Sequence, residues 1–230
     1  GRVGKNRETA LDAYYVSSYY DSMLQCDPNI STLWLAILGL IGQRPCSGYD
    51  LVKVFSMTAM GNFSSSPGAV YPALKRLEQL GLIEGAVEGR ETLRPRRIYS
   101  LTQRGRLALE QRLSMPVTRE DVARHSDDLM LRFAFMEGVL GREKTIAFLE
   151  QMASQTDAYI AELKRQLADM PPSAPSSARY ALEHGIESYR ADARWARRIV
   201  RELKEGTPGT PAAGPPPGTG QTPERERKHP

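Results

Sequence analysis

The sequence has little of what builds disulfide frameworks, metal centres or membrane spans. Its 230 residues include two cysteines and three histidines, and none of these falls at a spacing typical of a metal site. The longest apolar run, residues 33–41, is much shorter than the ~20 residues of a membrane-spanning helix. No basic start followed by an apolar stretch and a cleavage site is visible, so no signal peptide is expected. These absences predict a cytoplasmic protein without a metal or other cofactor.

Motifs of catalysis are missing as well. The sequence has no glycine-rich phosphate loop after a candidate strand and no Gly-x-Ser-x-Gly nucleophile turn. Cys46 precedes a candidate helix N-terminus, where the pKa of a thiol can fall, so a redox switch is one interpretation. A buried, inert thiol is the alternative. The chain is therefore predicted not to be an enzyme.

Charge is distributed unevenly along the chain. The net charge is +4, and residues 31–115 hold eleven Lys or Arg against six Asp or Glu. The remaining parts are balanced or slightly acidic. A local excess of positive charge is typical of a protein that binds a polyanion such as nucleic acid. A solvated basic face explains the same charge, so this observation alone leaves both interpretations open.

Residues 66–101 carry the most informative pattern. Ser66 and Pro67 form a helix start, with a hydroxyl N-cap followed by proline at the first helical position. Apolar residues at helical spacing begin at Val70, and Gly81 supplies the signal that ends the helix. The pattern predicts an amphipathic helix with one buried and one exposed face.

Two short strands follow this helix. Leu82 and Ile83 begin the first strand, and residues 97–101 form its partner, with a polar, basic tip between them. Two further helices precede them, over residues 31–41 and from residue 47 onwards. This order is that of a winged helix-turn-helix, a fold that usually places one helix in a DNA groove.

The exposed helix face and the wing provide the candidate DNA contacts. Lysine and tyrosine on such a helix reach phosphates or base edges, and arginine on a wing suits backbone or minor-groove contacts. The alternatives are that Tyr71 packs against a neighbouring helix and that the wing arginines are solvated loop charges. The candidate DNA-binding residues are Ser66, Gly68, Tyr71, Lys75, Arg76, Arg90, Arg94, Arg96 and Arg97.

The C-terminal half, residues 116–205, is predicted to be wholly helical. Its apolar residues alternate at three- and four-residue spacing over long stretches, which is typical of a coiled-coil seam. A hairpin of two such helices can satisfy itself, but the length of the helices favours homodimerisation. The candidate dimerisation residues are Ile146, Leu149, Ile160, Leu163, Leu167, Leu182, Ile186, Tyr189, Val200 and Leu203.

The two ends of the chain differ from the rest. In residues 1–30, apolar side chains recur every four positions from Leu11 to Met23, which favours a short helix over a flexible arm. Residues 206–230 contain seven prolines and almost no apolar residues. Such a segment cannot bury enough apolar surface to offset its ordering entropy, so it is predicted to be disordered.

Several segments resemble the PadR-type transcriptional regulators. The match covers about residues 31–115, and Pro72 within the helix is part of that family's pattern. Beyond residue 115 the chain resembles the longer, AphA-like subgroup of virulence activators in architecture only. The motifs that carry the resemblance are Leu38-Gly39-Leu40, Ser47-Gly48-Tyr49-Asp50-Leu51, Ser66-Pro67-Gly68-Ala69-Val70-Tyr71-Pro72-Ala73-Leu74, Leu77-Glu78, Gly81-Leu82-Ile83, Pro95-Arg96-Arg97, Tyr99 and Leu101-Thr102.

The resemblance implies a homodimer that binds a palindromic operator on double-stranded DNA, usually as a repressor, and responds to a small aromatic or amphipathic effector. It places Tyr71 and Lys75 on the recognition helix and Arg94 and Arg96 on the wing. The predicted fold is mainly α with a small two-stranded β-wing: an N-terminal winged helix-turn-helix, then a C-terminal antiparallel helical dimerisation domain. The alternative function is a winged-helix protein-interaction module without a DNA target.

Overall fold

The computed structural model describes residues 31–58, 67–88 and 96–206. The predictions for the N-terminal arm, for Ser66, for Arg90 and Arg94 in the wing tip, and for the tail beyond residue 206 lie outside these residues. Within them the helices and strands are α1 (Thr32–Gln43), β1 (Cys46–Ser47), α2 (Gly48–Met57), α3 (Pro67–Gln79), β2 (Ile83–Glu88), β3 (Arg96–Leu101), α4 (Gln103–Ser114), α5 (Arg119–Arg124), α6 (Ser126–Leu140), α7 (Arg142–Ala168) and α8 (Ser176–Glu205).

Side-chain caps fix where the N-terminal helices begin. The Ser31 hydroxyl accepts a hydrogen bond from the backbone N–H of Trp34 at 3.3 Å, and the Thr102 hydroxyl accepts one from Gly105 at 3.0 Å. Ser47 and Asp50 form a reciprocal capping box at the start of α2. Each cap satisfies a donor that the first turn of a helix leaves without a partner. The helix starts predicted at residues 31 and 47 are confirmed.

The wing is an antiparallel hairpin of β2 and β3. Ile83 pairs with Leu101, and Glu88 with Arg96, without a slip in register. The two-residue strand β1 pairs with the other edge of β3, so the sheet has three strands in the order β1-β3-β2. Two residues are too few to show alternation, which is why the sequence predicted only the hairpin. The predicted fold class is confirmed, with this third strand added.

The winged helix and the C-terminal helices share one hydrophobic core. Helix α1 lies at its centre, with Leu35, Ile37 and Leu38 fully buried. The ring of Phe135 on α6 packs directly on α1 at Gly39: a Cβ at that position would lie 2.4 Å from Phe135 Cδ2. Glycine is needed here because no side chain fits between the two helices. The winged helix therefore packs directly onto the C-terminal region.

Helices α7 and α8 form a long antiparallel pair. At ~1.5 Å per residue they are about 40 and 45 Å long. Ion pairs join Glu150 to Lys204 and Asp157 to Arg197 across the pair. No helix in the described part of the chain is long and apolar enough to cross a membrane.

The candidate dimerisation residues are packed inside a single chain. Leu149, Ile160, Leu163, Ile186 and Val200 are each at most 8% exposed without any partner chain. The other five are partly buried against the same clusters. The apolar seam between α7 and α8 is thus filled by side chains of the same chain, as expected for a helical hairpin that packs on itself. These residues thus pack within one chain, and both their role in dimerisation and dimerisation itself stay predictions.

Helix α6 also differs from the sequence prediction. The spacing of Leu129, Phe133, Met136 and Leu140 suggests a single apolar stripe. In the structure Leu129, Leu131, Arg132, Phe135 and Met136 are buried, and Phe133 lies against Trp195 with ring centroids 5.3 Å apart. The wider burial follows from neighbours on several sides, because α6 contacts α1, α4, α5 and α7.

Replacing Gly39 by alanine tests the shared core. The new methyl group must displace the buried Phe135 ring, so Gly39→Ala is expected to lower the free energy of unfolding by about 1–3 kcal/mol. Gly138 on the same α6 as Phe135 has nothing within 4 Å of an added Cβ. Gly138→Ala should therefore be neutral or stabilising by up to ~1 kcal/mol. Urea unfolding of both variants measures this, and equal stabilities would contradict the packing described.

Candidate nucleic-acid interface

Helix α3 has two chemically distinct faces. Val70, Leu74 and Leu77 are at most 1% exposed and pack into the core. Tyr71 and Lys75 on the opposite face are exposed. This partition follows from the three- and four-residue spacing of the apolar side chains. The helix therefore presents polar, hydrogen-bonding side chains to solvent along one side.

A cleft of about 480 Å³ lies between the exposed face of α3, the start of α2 and strand β3. Gly48 allows this arrangement, since a Cβ there would lie 2.8 Å from Tyr71 Cε1. Tyr71 packs on α2 at this point, yet it remains 56% exposed. Packing on a neighbouring helix is thus part of the Tyr71 environment, whereas its contact with DNA stays a prediction. The lining residues are Ser47, Gly48, Tyr49, Tyr71, Arg96, Arg97 and Tyr99.

The start of α2 gives the cleft a polar wall. The Asp50 carboxylate accepts hydrogen bonds from the Ser47 backbone N–H at 3.0 Å and from the Ser47 hydroxyl at 2.7 Å. The hydroxyl bond, more than the charge of nearby Arg96, holds the pKa of Asp50 below its ordinary value. The first-turn amides of a helix carry partial positive charge and suit an anion such as phosphate.

The two arginines at the base of the wing line the same cleft but have different partners. Arg97 donates a hydrogen bond from Nη2 to Glu78 Oε1 at 2.5 Å and lies over the Tyr99 ring, 5.9 Å from its centroid. The bond to Glu78 raises the pKa of Arg97. Arg96 is exposed and carries its charge beside the start of α2.

The structure brings three of the six described candidates together. Tyr71, Arg96 and Arg97 line the same cleft. Gly68, Lys75 and Arg76 are exposed positions on α3. Arg97 differs from the others because its guanidinium is already bonded to a carboxylate. Within the described residues, no group of three His, Cys, Asp or Glu side chains is arranged to hold a metal ion.

Sequence reasoning did not select Ser47 and Tyr49 as interface residues. Tyr49 is 64% exposed at the second position of α2, where it lines the cleft. The signal was present in the run Ser47-Gly48-Tyr49-Asp50, in which a capping box is followed at once by a large exposed aromatic side chain. The sequence alone did not show that the wing closes over this helix end.

Two family descriptions match successive parts of the chain. Residues 37–111 match the transcriptional regulator PadR-like family, and residues 126–204 match the virulence activator alpha C-terminal region. The chain belongs to the PadR-like family of transcriptional regulators. The first match contains α3 and the wing, and the second contains α6, α7 and α8.

Individual PadR-like relatives are distant. The Escherichia coli K12 transcriptional regulator YqjI is 28% identical over 138 residues, which span 59% of this chain and 64% of that protein. The Bacillus subtilis negative transcriptional regulator PadR is 26% identical over 139 residues, or 60% of this chain and 75% of that one. A crystal structure of Bacillus subtilis PadR with operator DNA is 25% identical and covers 74% of this chain and 96% of that one, with a TM-score of 0.34. A superposition this loose supports no structural argument.

Cys46 lies beneath the cleft in strand β1 of this PadR-like domain. It is 7% exposed, and burial, followed by the nearby Asp50 charge, raises the pKa of the Cys46 thiol to about 11. A redox switch needs an accessible thiolate. Of the two interpretations of Cys46, the structure therefore supports the buried, inert thiol.

The raised pKa of Cys46 predicts a specific pH dependence. The unfolded thiol ionises near pH 9.0 and the folded one near pH 11. The neutral Cys46 thiol therefore contributes fully to the free energy of unfolding below about pH 9. This contribution is lost as the pH rises towards 11. In a Cys26→Ser background, a thiol reagent at pH 8 should label the folded chain far more slowly than the unfolded chain. Rapid labelling of folded protein would contradict this. Cys46→Ala should reduce the loss of stability between about pH 9 and pH 11.

Proposed function

We propose that this protein is a sequence-specific DNA-binding transcriptional regulator, and not an enzyme. The observation that carries the proposal is the exposed side of α3, where Tyr71 and Lys75 stand beside a cleft that ends at Arg96. Membership of the PadR-like regulators and the excess of basic residues in this part of the chain support it. A cytoplasmic location is part of the proposal.

The geometry suggests how a duplex is bound. Helix α3 enters the major groove, so that Tyr71 and Lys75 meet base edges or phosphates. The start of α2 then faces a phosphate of the adjoining backbone. Arg96 at the base of the wing contacts the backbone on the other side of the cleft, and contacts by Arg90 and Arg94 stay a prediction. One face of the winged helix thus meets DNA at three places.

We propose that the regulator binds an inverted repeat as a homodimer, acting as a repressor. A single recognition helix contacts only a few base pairs, whereas two helices related by a two-fold axis read two half-sites. The long α7–α8 pair supplies the surface for such a contact on its outer sides, because its inner seam is already filled. The Bacillus subtilis relative is a negative transcriptional regulator by name, which supports repression over activation.

We also propose that a small aromatic or amphipathic effector binds beside α4. A second cleft of about 240 Å³ lies between the end of α4, α6 and α7. Its walls are mostly apolar, with Met115, Met136 and Phe148, and Lys144 is the cation in its lining. Its volume is below the ~300 Å³ at which typical ligand pockets begin, so it suits a single aromatic ring.

The buried Arg132 favours an anionic group on that effector. It is 1% exposed, and its Nη2 donates to the backbone carbonyls of Leu113 and Met115, both of which line the cleft. Its Nε has no hydrogen-bond partner among the described residues. Arg112 forms the ion pair with Asp128, and Arg132 makes no ion pair of its own among the described residues. An excess buried cation is stabilised by an anion nearby.

The operator experiment tests the function directly. Full-length protein is used to select duplexes from a random library, and a fragment from upstream of its own gene is tested beside them. We expect specific binding with a steep salt dependence, two half-sites in the selected sequence, and a solution mass twice the 25.6 kDa of one chain. No binding at low salt would instead favour the protein-interaction module.

Replacing Lys75 tests the role of α3. Lys75→Ala is expected to weaken operator binding and to lower the slope of log affinity against log salt by about 1, because one phosphate contact is lost. Lys164 on α7 is also exposed and serves as the matched control. Lys164→Ala should leave affinity and slope unchanged. Equal effects of the two variants would mean that binding is a non-specific response to charge.

The effector is tested with small aromatic carboxylates. Those that bind should raise the melting temperature and change operator affinity in the same protein. Lys144→Ala should weaken their binding while leaving operator affinity without ligand unchanged. A carboxylate that binds Lys144→Ala as tightly as wild type would place the effector elsewhere.

A further inference from the structure

The Arg97 side chain connects the wing to the recognition helix. Arg97 is on β3, and Glu78, which accepts its hydrogen bond at 2.5 Å, is in the last turn of α3. The side chains are 50% and 30% exposed, so the pair lies at the surface beside the cleft. The Arg97 guanidinium also lies over the Tyr99 ring. No other ion pair between α3 and the wing occurs among the described residues.

Gly85 provides the space for this pair. It lies on β2 opposite Tyr99 and two residues before Val87, which pairs with Arg97. A Cβ at position 85 would lie 2.4 Å from Arg97 Nε and 3.0 Å from Glu78 Oε1. The Arg97 guanidinium therefore passes over β2 at Gly85, the residue of that strand that has no side chain. Any larger residue there must displace Arg97 or Glu78.

The end of the recognition helix is fixed from the opposite side by α4. The Thr102 hydroxyl donates to the Gly81 carbonyl at 2.6 Å, and Arg104 Nη1 donates to the Leu80 carbonyl at 3.0 Å. These bonds hold the turn that follows α3 but do not reach the wing. The orientation of the wing against α3 depends on the sheet, on the packing of β3 against α1 and α2, and on the Glu78–Arg97 pair, which is the ion pair that joins the wing to α3 among the described residues.

We propose that Glu78 is a positioning residue for operator recognition: through Arg97 it sets the angle between the wing and the recognition helix. Arg97 is then a strut between two DNA-binding elements and not a phosphate contact, in contrast to the sequence prediction. The inference rests on the proposed function. Its consequence is unusual for an acidic residue near a polyanion, because removing the carboxylate weakens specific binding.

The sign of the effect distinguishes this role from simple electrostatics. A carboxylate close to DNA repels phosphates, so its removal strengthens binding unless it holds another group in place. Exposed ion pairs stabilise modestly, so the expected loss of operator affinity for Glu78→Gln is about two- to five-fold. Binding to random duplex should stay equal or rise. The specificity ratio should thus fall.

The matched control is Glu84→Gln. Glu84 is exposed on β2 and makes no ion pair within the described residues. Its removal should leave operator binding unchanged or slightly stronger. Thermal unfolding of both variants checks that they remain folded. Tighter operator binding by Glu78→Gln, as by Glu84→Gln, would overturn the proposal.

A charge exchange and a salt series complete the test on the selected operator. Arg97→Glu alone should weaken operator binding, and the double variant Glu78→Arg with Arg97→Glu should return to within about two-fold of wild type because the strut is rebuilt. Arg97→Ala should leave the salt slope unchanged, whereas Arg96→Ala should lower it by about 0.9. A double variant no better than Arg97→Glu, or a lower slope in Arg97→Ala, would show that Arg97 contacts phosphate. If wild type selects no duplex, the proposed function fails first and the strut's role in recognition fails with it.

Discussion

Helix α4 runs directly against the backbone of the turn that ends the recognition helix. A Cβ at Gly105 would lie 1.8 Å from the Leu82 carbonyl oxygen, so only glycine permits this contact. The Thr102 N–H donates to the same carbonyl at 3.1 Å. The C-terminal end of α3 is therefore held by this backbone contact together with the Thr102 and Arg104 side chains. Strand β2 begins immediately after this turn, so the contact fixes where the wing starts but not its angle to α3.

From this fixed point the interface is assembled in layers. The buried stripe of α3 orients Tyr71 and Lys75 outward, Gly48 admits the Tyr71 ring against α2, and the wing closes the third side. Small residues stand where elements approach most closely, whereas charged residues stand where the surface is open. The same helix α4 accepts the Arg132 hydrogen bonds at its far end. Helix α3 and the cleft proposed for an effector thus lie against opposite ends of α4.

Local chemistry explains what the sequence could predict. Local patterns depend only on neighbouring residues: the caps at Ser31, Ser47 and Thr102, the helical spacing in α3 and the hairpin pattern. The sequence could therefore predict the winged helix and its exposed face. It could not predict contacts between distant segments. Nothing local distinguishes Arg97, bonded to Glu78, from its exposed neighbour Arg96. Periodicity likewise shows that α7 and α8 have apolar seams but not whether a seam is filled by the same chain.

The packing of Phe135 on Gly39 has a consequence for how the molecule can be divided. A fragment that stops after α4 loses α6 and leaves the most buried helix of the winged domain facing water along one side. Such a fragment exposes an apolar surface that a monomer in solution tolerates poorly. The winged helix is thus not expected to be stable when it is separated from α6.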